Sequence, residues 1–288
     1  MNGRLPTFII AGAAKAGTTA LYRYLGAHPE VFMSPIKETN FFAWEGEGVD
    51  SLAESMGENE FRVRTLDAYH ALFDDVTTEK AIGEASPLYL ESPVAAARIR
   101  EEIPDAKILV SLRDPSDRAF SAYMMQVRNA RETWRIDEAF DLDVHYVRVG
   151  LYYEKLKRYY DRFPAEQIRV LLYDDLKRDT DGFMREIYGY IGVDPALGGD
   201  VGRPHNVGGF PKRKRLNRFL RGLSRNDALK RLVPSGLVAL GKDLRRRNVG
   251  KKPEFPPELR ARLIDHYRDD IERVQELIGV DLGAWLEV

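Results

Sequence analysis

The stretch that most restricts how this chain can fold is FIIAGAAKAGTTALYRYLG, residues 8–26. Phe8, Ile9 and Ile10 make a short apolar run with β-branched residues that ends in a glycine, the pattern of a buried strand. Leu21, Tyr24 and Leu25 then recur at helical spacing, and the run stops at His28-Pro29. Strand, glycine loop and helix in that order set a helix N-terminus, with its unpaired N–H groups and partial positive charge, directly behind a strand. Gly12 and Gly17 have the separation of the phosphate-binding pattern G-x-x-x-x-G-K-[ST], and Thr18 and Thr19 follow. The lysine is Lys15, inside the loop instead of after the second glycine. Either this is a damaged ATP site, or the loop is built for a different anion.

The rest of the chain repeats the alternation. AIGEASPLYL (81–90) reads as strand then turn, and AKILVSL (106–112) and IRVLLY (168–173) as further buried strands. Helices are expected over 92–104, where Ser92 is the N-cap and Pro93 the first helical position, and over 114–128, 151–163 and 182–192. Strands alternating with helices argue for an α/β fold: three layers, P-loop-like, with a mostly parallel central sheet flanked by helices. Beyond Gly198 only loops and helices follow, ending in a long amphipathic helix over 258–279. We expect one domain, 1–288, with a helical C-terminal extension and the basic segment 203–252 packed on it.

At 288 residues, 44% hydrophobic and 31% charged, the chain can bury a sizeable core. It has no cysteine, which excludes disulfides, thiol catalysis and zinc–thiolate sites. No apolar run approaches the roughly 18 residues of a membrane span. A cytoplasmic location is the expectation. The net charge of −1 conceals an asymmetry. Residues 203–252 hold 16 Lys and Arg against two acids, Asp227 and Asp243, a net charge of +14. Such a segment suits an anionic partner or a solvated helical face. Leu216, Phe219, Leu220 and Leu223 lie among its arginines, so peripheral contact with an anionic membrane through 212–247 is a further expectation.

A second motif identifies the anion. The loop Lys15-Ala16-Gly17-Thr18-Thr19 resembles that of sulfotransferases that use 3′-phosphoadenosine 5′-phosphosulfate (PAPS). KILVSLRDPSDRAFSAYMM is similar to that family's 3′-phosphate segment, a strand ending in R-[DEN]-P with a serine eight residues beyond the arginine. The matching residues are Arg113 and Ser121. Arg113 at a strand's C-terminal end would face the crevice where α/β folds bind ligands, and a guanidinium grips phosphate in bidentate fashion. ATP has no 3′-phosphate, so a site for one discriminates between the two nucleotides. The resemblance implies that Lys15 assists departure of the bridging oxygen, and that Ala16, Gly17, Thr18 and Thr19 cradle the 5′-phosphosulfate. LLYDDLKRD is similar to a segment that sets Tyr173 near the adenine, and HNVGGFPKRKRL to a late basic loop in which Lys212 and Arg213 would touch the 3′-phosphate.

Sulfuryl transfer to a hydroxyl needs a general base and positive charge for the leaving nucleotide. The family resemblance assigns the base to Glu38, two residues before Asn40-Phe41-Phe42. His28 competes for the role, although a capping function suits its place before Pro29. Ala85 stands where heparan-type members carry a lysine, which counts against a heparan-like acceptor. Phe41, Phe42, Trp44 and Tyr89 are candidates to line an apolar acceptor pocket or to pack in the core. The expected activity is metal-independent transfer from PAPS, with PAP as product, to a small-molecule, carbohydrate or lipid hydroxyl; no nucleic acid is involved. The alternatives are an ATP-dependent small-molecule kinase and a non-catalytic nucleotide- or membrane-binding protein.

Overall fold

The computed structural model describes residues 4–44, 63–129, 136–140, 144–199, 210–211, 249–250 and 253–288. In chain order the elements are β1 (Phe8–Gly12), α1 (Thr18–Gly26), β2 (Val31–Met33), α2 (Leu66–His70), β3 (Ala81–Ala85), α3 (Leu88–Glu91), α4 (Ala95–Glu102) and β4 (Lys107–Leu112). Then come α5 (Pro115–Arg128), α6 (Ile136–Ala139), α7 (His145–Arg148), α8 (Tyr153–Tyr160), β5 (Ile168–Leu172), α9 (Tyr173–Arg178) and α10 (Thr180–Ile191). The short strands β6 (Phe210–Pro211) and β7 (Val249–Gly250) precede the C-terminal helix α11 (Pro257–Ile278). The chain divides into two compact units: Met1–Asp114 with Leu151–Pro204 and Asp270–Asp281, and Pro115–Gly150 with His205–Asp269 and Leu282–Val288.

The first unit holds a five-stranded sheet in the order β2-β3-β1-β4-β5, parallel throughout. β1 lies at its centre, and all five of its residues are buried. That explains the near-continuous apolar run in the sequence: a parallel strand covered on both faces has no solvent side to mark with polar residues. Side chains alternate between the faces. Phe8, Ile10, Ala81, Ala85, Leu109 and Leu171 meet Leu21 and Leu25 of α1 and Phe183, Met184 and Ile187 of α10 in one apolar cluster. On β1's other side α3 approaches so closely that a Cβ on Gly12 would lie 2.6 Å from the Leu90 Cβ.

α4 begins at Ala95 with Val94 in the N-cap position, two residues later than the sequence suggested, and the Ser92 hydroxyl accepts from the N–H groups of Val94 and Ala95 at 3.3 and 3.2 Å. Several elements differ from the sequence expectation, two of them next to β3. Leu88-Tyr89-Leu90, expected as a turn, is a short helix with all three side chains buried. β2 has three residues between two proline-flanked turns, too few to show a period. Residues Asp270–Asp281 of the C-terminal helix and its end belong to the first unit, where the Asp270 carboxylate accepts from the N–H groups of Tyr152 and Tyr153 at 2.6 and 3.1 Å and so closes the N-terminus of α8.

The second unit is built around α5. Arg118 on that helix is buried and donates to the Tyr146 carbonyl, and the Tyr146 hydroxyl donates to the Ala139 carbonyl. Phe120 stacks on Phe255 with ring centres 4.6 Å apart, and the Tyr267 hydroxyl donates to the Val147 carbonyl at 2.8 Å. β6 and β7 pair antiparallel. Apart from these two strands, residues 203–252 lie outside the described residues, and with them Lys212 and Arg213. Among the described residues no helix is long and apolar enough to cross a membrane.

Candidate active site

Every strand of the sheet runs the same way, so the chain leaves β1, β3, β4 and β5 at one edge, the position where open α/β sheets bind ligands. The loop after β1 carries Lys15. Arg113 follows β4 directly, and Tyr173 follows β5. The segment bearing Glu38 is tied to the end of β3 by the Glu38 N–H, which donates to the Ala85 carbonyl at 2.9 Å.

The loop is a backbone cradle. Gly17 is the N-cap of α1, left-handed at φ 89°, and no side chain caps the helix there. The first turn of α1 contains no acidic residue, so the positive end of its dipole is not neutralised from within. Ser111 of β4 holds the loop from behind: its hydroxyl donates to the Ala16 carbonyl at 2.6 Å, and its own carbonyl accepts from the Ala13 N–H at 2.7 Å. Ala16 and Thr18 are buried, whereas Lys15, Gly17 and Thr19 are partly exposed. Nothing in the sequence singled out Ser111. Its partners are 95 and 98 residues away, and a serine inside an apolar strand is the faint signal that a buried polar group there needs a partner.

Tyr173 joins two parts of this edge. Its ring lies where a Cβ on Gly17 would come within 2.8 Å of Cδ2, and the Arg113 guanidinium sits over it, 5.1 Å from the ring centre. The Lys177 ammonium is also 5.1 Å from that centre. The Tyr152 hydroxyl donates to the Arg113 carbonyl at 2.9 Å, which steadies the residue where strand gives way to loop. Ser121, the expected companion of Arg113, is a partly buried residue of α5 in the second unit.

The Glu38 segment is held differently. Glu38 itself is about half exposed (49% for its side chain), and the Lys37 ammonium pairs with its carboxylate. Behind it lies the fully buried carboxylate of Glu84. Oε1 of Glu84 accepts from the hydroxyls of Thr39, Ser86 (2.7 Å) and Tyr89 (2.6 Å), and Oε2 from the hydroxyl of Tyr69 (2.7 Å). Burial pushes the phenols of Tyr69 and Tyr89 well above the ordinary tyrosine range, and the adjacent Glu84 carboxylate pushes them further. They stay neutral donors. Arg98 of α4 closes the other end of the turn, donating to the carbonyls of Phe41 (3.1 Å), Phe42 (3.2 Å) and Trp44 (2.5 Å). Tyr69 and Arg98 escaped the sequence reading because their partners are distant in the chain, and Glu84 because spacing does not show which hydroxyls turn toward it.

Phe41, Phe42 and Tyr89 are core residues. They are buried, and with Tyr69 they form a ring cluster with centres 4.6–5.7 Å apart. Trp44 is partly exposed and lies under the Arg64 guanidinium at 4.7 Å. His28 is a cap, not a base. The Glu30 N–H donates to its Nδ1 at 3.1 Å, so the ring proton is on Nε2, which donates to the Asp194 carbonyl at 2.9 Å; only 2% of the residue is exposed.

Among the described residues, the non-glycine residues with positive φ are Lys15 (73°), Glu38 (63°) and Asn40 (56°). Left-handed backbone costs an ordinary residue roughly 1–2 kcal/mol. It persists only where the surroundings enforce it, and such positions gather at functional sites. Here they fall on the two residues expected to carry the chemistry and on a near neighbour of one of them.

Comparison with known proteins places these features in context. The sulfotransferase family profile matches residues 6–196. A crystal structure of a sulfotransferase from Alicyclobacillus acidocaldarius is 33% identical, covers 99% of this chain and 100% of its own, and superposes with a TM-score of 0.72. The bifunctional heparan sulfate N-deacetylase/N-sulfotransferase 1 of Xenopus laevis is 27% identical over 305 residues, 98% of this chain and 31% of the relative. Mouse sulfotransferase SULT7A1, solved with PAP, shares the fold at 12% identity, with a TM-score of 0.53 over 97% of this chain and 89% of its own. The chain spans 23–31% of the length of the first curated relatives it matches.

Proposed function

Because the chain belongs to the sulfotransferase family, we propose that it moves a sulfuryl group from PAPS to an acceptor hydroxyl by in-line displacement, with Glu38 as general base. The observation that carries this reading is the placing of left-handed backbone on Lys15 and Glu38, both at the sheet edge where β1 and β3 end. In the proposed step Glu38 takes the hydroxyl proton and the acceptor oxygen bonds to sulfur. The bond from sulfur to the bridging oxygen breaks, and PAP leaves with the electron pair. Lys15 and the N–H groups of Gly17, Thr18 and Thr19 meet the charge that develops on the leaving side.

Arg113, with Ser121, takes the 3′-phosphate in this reading, and Lys212 and Arg213 are further contacts for it. Tyr173 acts from below the loop, through its packing on Gly17 and its contact with the Arg113 guanidinium, and is the residue that the resemblance sets near the adenine. Residues 1–288 work as one catalytic domain, an assignment supported by end-to-end coverage of a solved sulfotransferase. The acceptor is proposed as a hydroxyl on a carbohydrate, lipid or other small molecule. Relatives are named for heparan sulfate, but Ala85 is buried and uncharged at the position of the heparan-type lysine, which argues against that polymer here.

Calorimetric titration with PAP, beside ATP and Mg²⁺, tests the donor site without any acceptor. Tight metal-independent PAP binding with weak ATP binding is expected. The reverse preference would make the protein a kinase and remove Arg113 from the 3′-phosphate.

A further inference from the structure

Three hydroxyls that donate to Glu84 Oε1 each accept a backbone N–H from the segment after Glu38. Ser86 Oγ accepts from Asn40 N at 3.1 Å, Thr39 Oγ1 from Phe41 N at 3.4 Å, and the Tyr89 hydroxyl from Phe42 N at 3.4 Å. A backbone N–H can only donate, so each hydroxyl keeps its own proton for another acceptor; Glu84 Oε1 is in reach of all three, and the Thr39 and Tyr89 hydroxyls also lie 3.0 Å from each other. Consecutive N–H groups at the start of the Phe41–Ala43 turn are thereby connected, through one hydroxyl each, to a single buried carboxylate. Tyr69 occupies the second oxygen of that carboxylate.

We propose that Glu84 is the positioning residue for Glu38: through Thr39, Ser86 and Tyr89 it holds residues 38–42 in the conformation that presents the Glu38 carboxylate at the sheet edge. The proposal rests on Glu38 as base. Two residues in this segment, Glu38 and Asn40, are left-handed, and the hydroxyl relays, with the Glu38 N–H to Ala85 bond, are what oppose their relaxation. Glu84 lies beneath the segment and meets no solvent, so it acts through the backbone and not on the acceptor.

The cage as a whole is matched to a carboxylate, which accepts on both oxygens. All four groups around Glu84 are hydroxyl donors, three of them with their oxygen already taken by an N–H. A glutamine in its place turns two protons toward one hydroxyl oxygen, and that hydroxyl loses its acceptor. Thr39→Val removes one relay with little change of shape, and Thr39→Ser keeps it.

The test uses the full chain and three readouts: amide hydrogen exchange of residues 38–44, PAP affinity, and PAP release from PAPS with water as acceptor. Misplacing a reacting group by about 1 Å costs on the order of a hundredfold in rate. Thr39→Val is therefore expected to speed exchange of Phe41 and its neighbours and to slow PAP release by about tenfold or more. PAP affinity should hold within about twofold, since the donor loop is untouched. Thr39→Ser should restore both. Glu84→Leu, which removes the acceptor of all three relays, should exceed Thr39→Val; if it does not fold, the threonine pair decides. Unchanged exchange in Thr39→Val, or failure of Thr39→Ser to restore it, overturns the proposal. Glu38→Gln separates the two ideas. It should abolish PAP release while leaving exchange of 38–44 slow. If release persists in Glu38→Gln, the base assignment falls, and with it the catalytic part of this proposal; the exchange data still report whether Glu84 holds the segment.

Discussion

The two loops at the sheet edge are built on opposite principles. The Gly12–Thr19 loop is shaped by main chain: glycines where a Cβ would collide, a helix N-terminus without a side-chain cap, and one serine behind it. The Glu38–Ala43 segment contains no glycine. Its left-handed residues are held by side chains from β3, α2, α3 and α4, all reaching it from elsewhere in the sequence. A loop that must bring N–H groups against an anion keeps side chains out of the way. A loop that must aim one carboxylate needs side chains beneath it. The difference predicts that, in the proposed reaction, donor binding and acceptor activation are separable by mutation.

The largest test of that contrast is Gly17→Val. A β-branched residue at φ 89°, with its Cβ 2.8 Å from Tyr173, carries roughly 3 kcal/mol of strain, about a hundredfold in PAP affinity. Calorimetry that finds wild-type affinity would mean the loop is not set by its backbone. Next comes Arg98→Met, which leaves the carbonyls of Phe41, Phe42 and Trp44 without their charged donor. A loss of about 2 kcal/mol in denaturant unfolding is expected, with PAP affinity unchanged; a parallel loss of affinity would break the separation of the loops. Ser111→Ala should reverse that pattern more gently. Losing the bond to the Ala16 carbonyl is worth about 1 kcal/mol, roughly fivefold weaker PAP binding.

The smallest effect is one of pH. Tyr69 and Tyr89 have folded pKa values raised above the ordinary 10.0. The stability linked to them is complete below pH 10.0 and is lost as pH climbs from there toward the folded values. No change is expected at neutral pH, and phenolate absorbance from these two should appear only together with unfolding. Ionisation in the folded protein would show that water reaches the Glu84 cage.

Legibility followed the same division. The strand–loop–helix around Lys15 and the strand before Arg113 are local patterns, apolar runs and turn residues within about twenty positions, and both stand where the sequence put them. The short helix Leu88–Glu91 stands where the sequence suggested a turn, because one helical turn is too short to show a period. Phe41 and Phe42 were left between pocket and core, since spacing says nothing about which rings meet Tyr69 and Tyr89.

The sequence by itself determined the parallel α/β sheet and the strand–glycine loop–helix with its displaced lysine. Each of these depends on interactions between near neighbours, which periodicity and glycine placement record. Only the tertiary structure decided that His28 is a cap, that Tyr173 braces Gly17 and Arg113, and that Glu84 gathers four hydroxyls under the Glu38 segment. Those outcomes join residues as far as 166 positions apart. A buried carboxylate or imidazole is tolerated only when such partners satisfy it, and which partners arrive is settled by how the strands and helices pack.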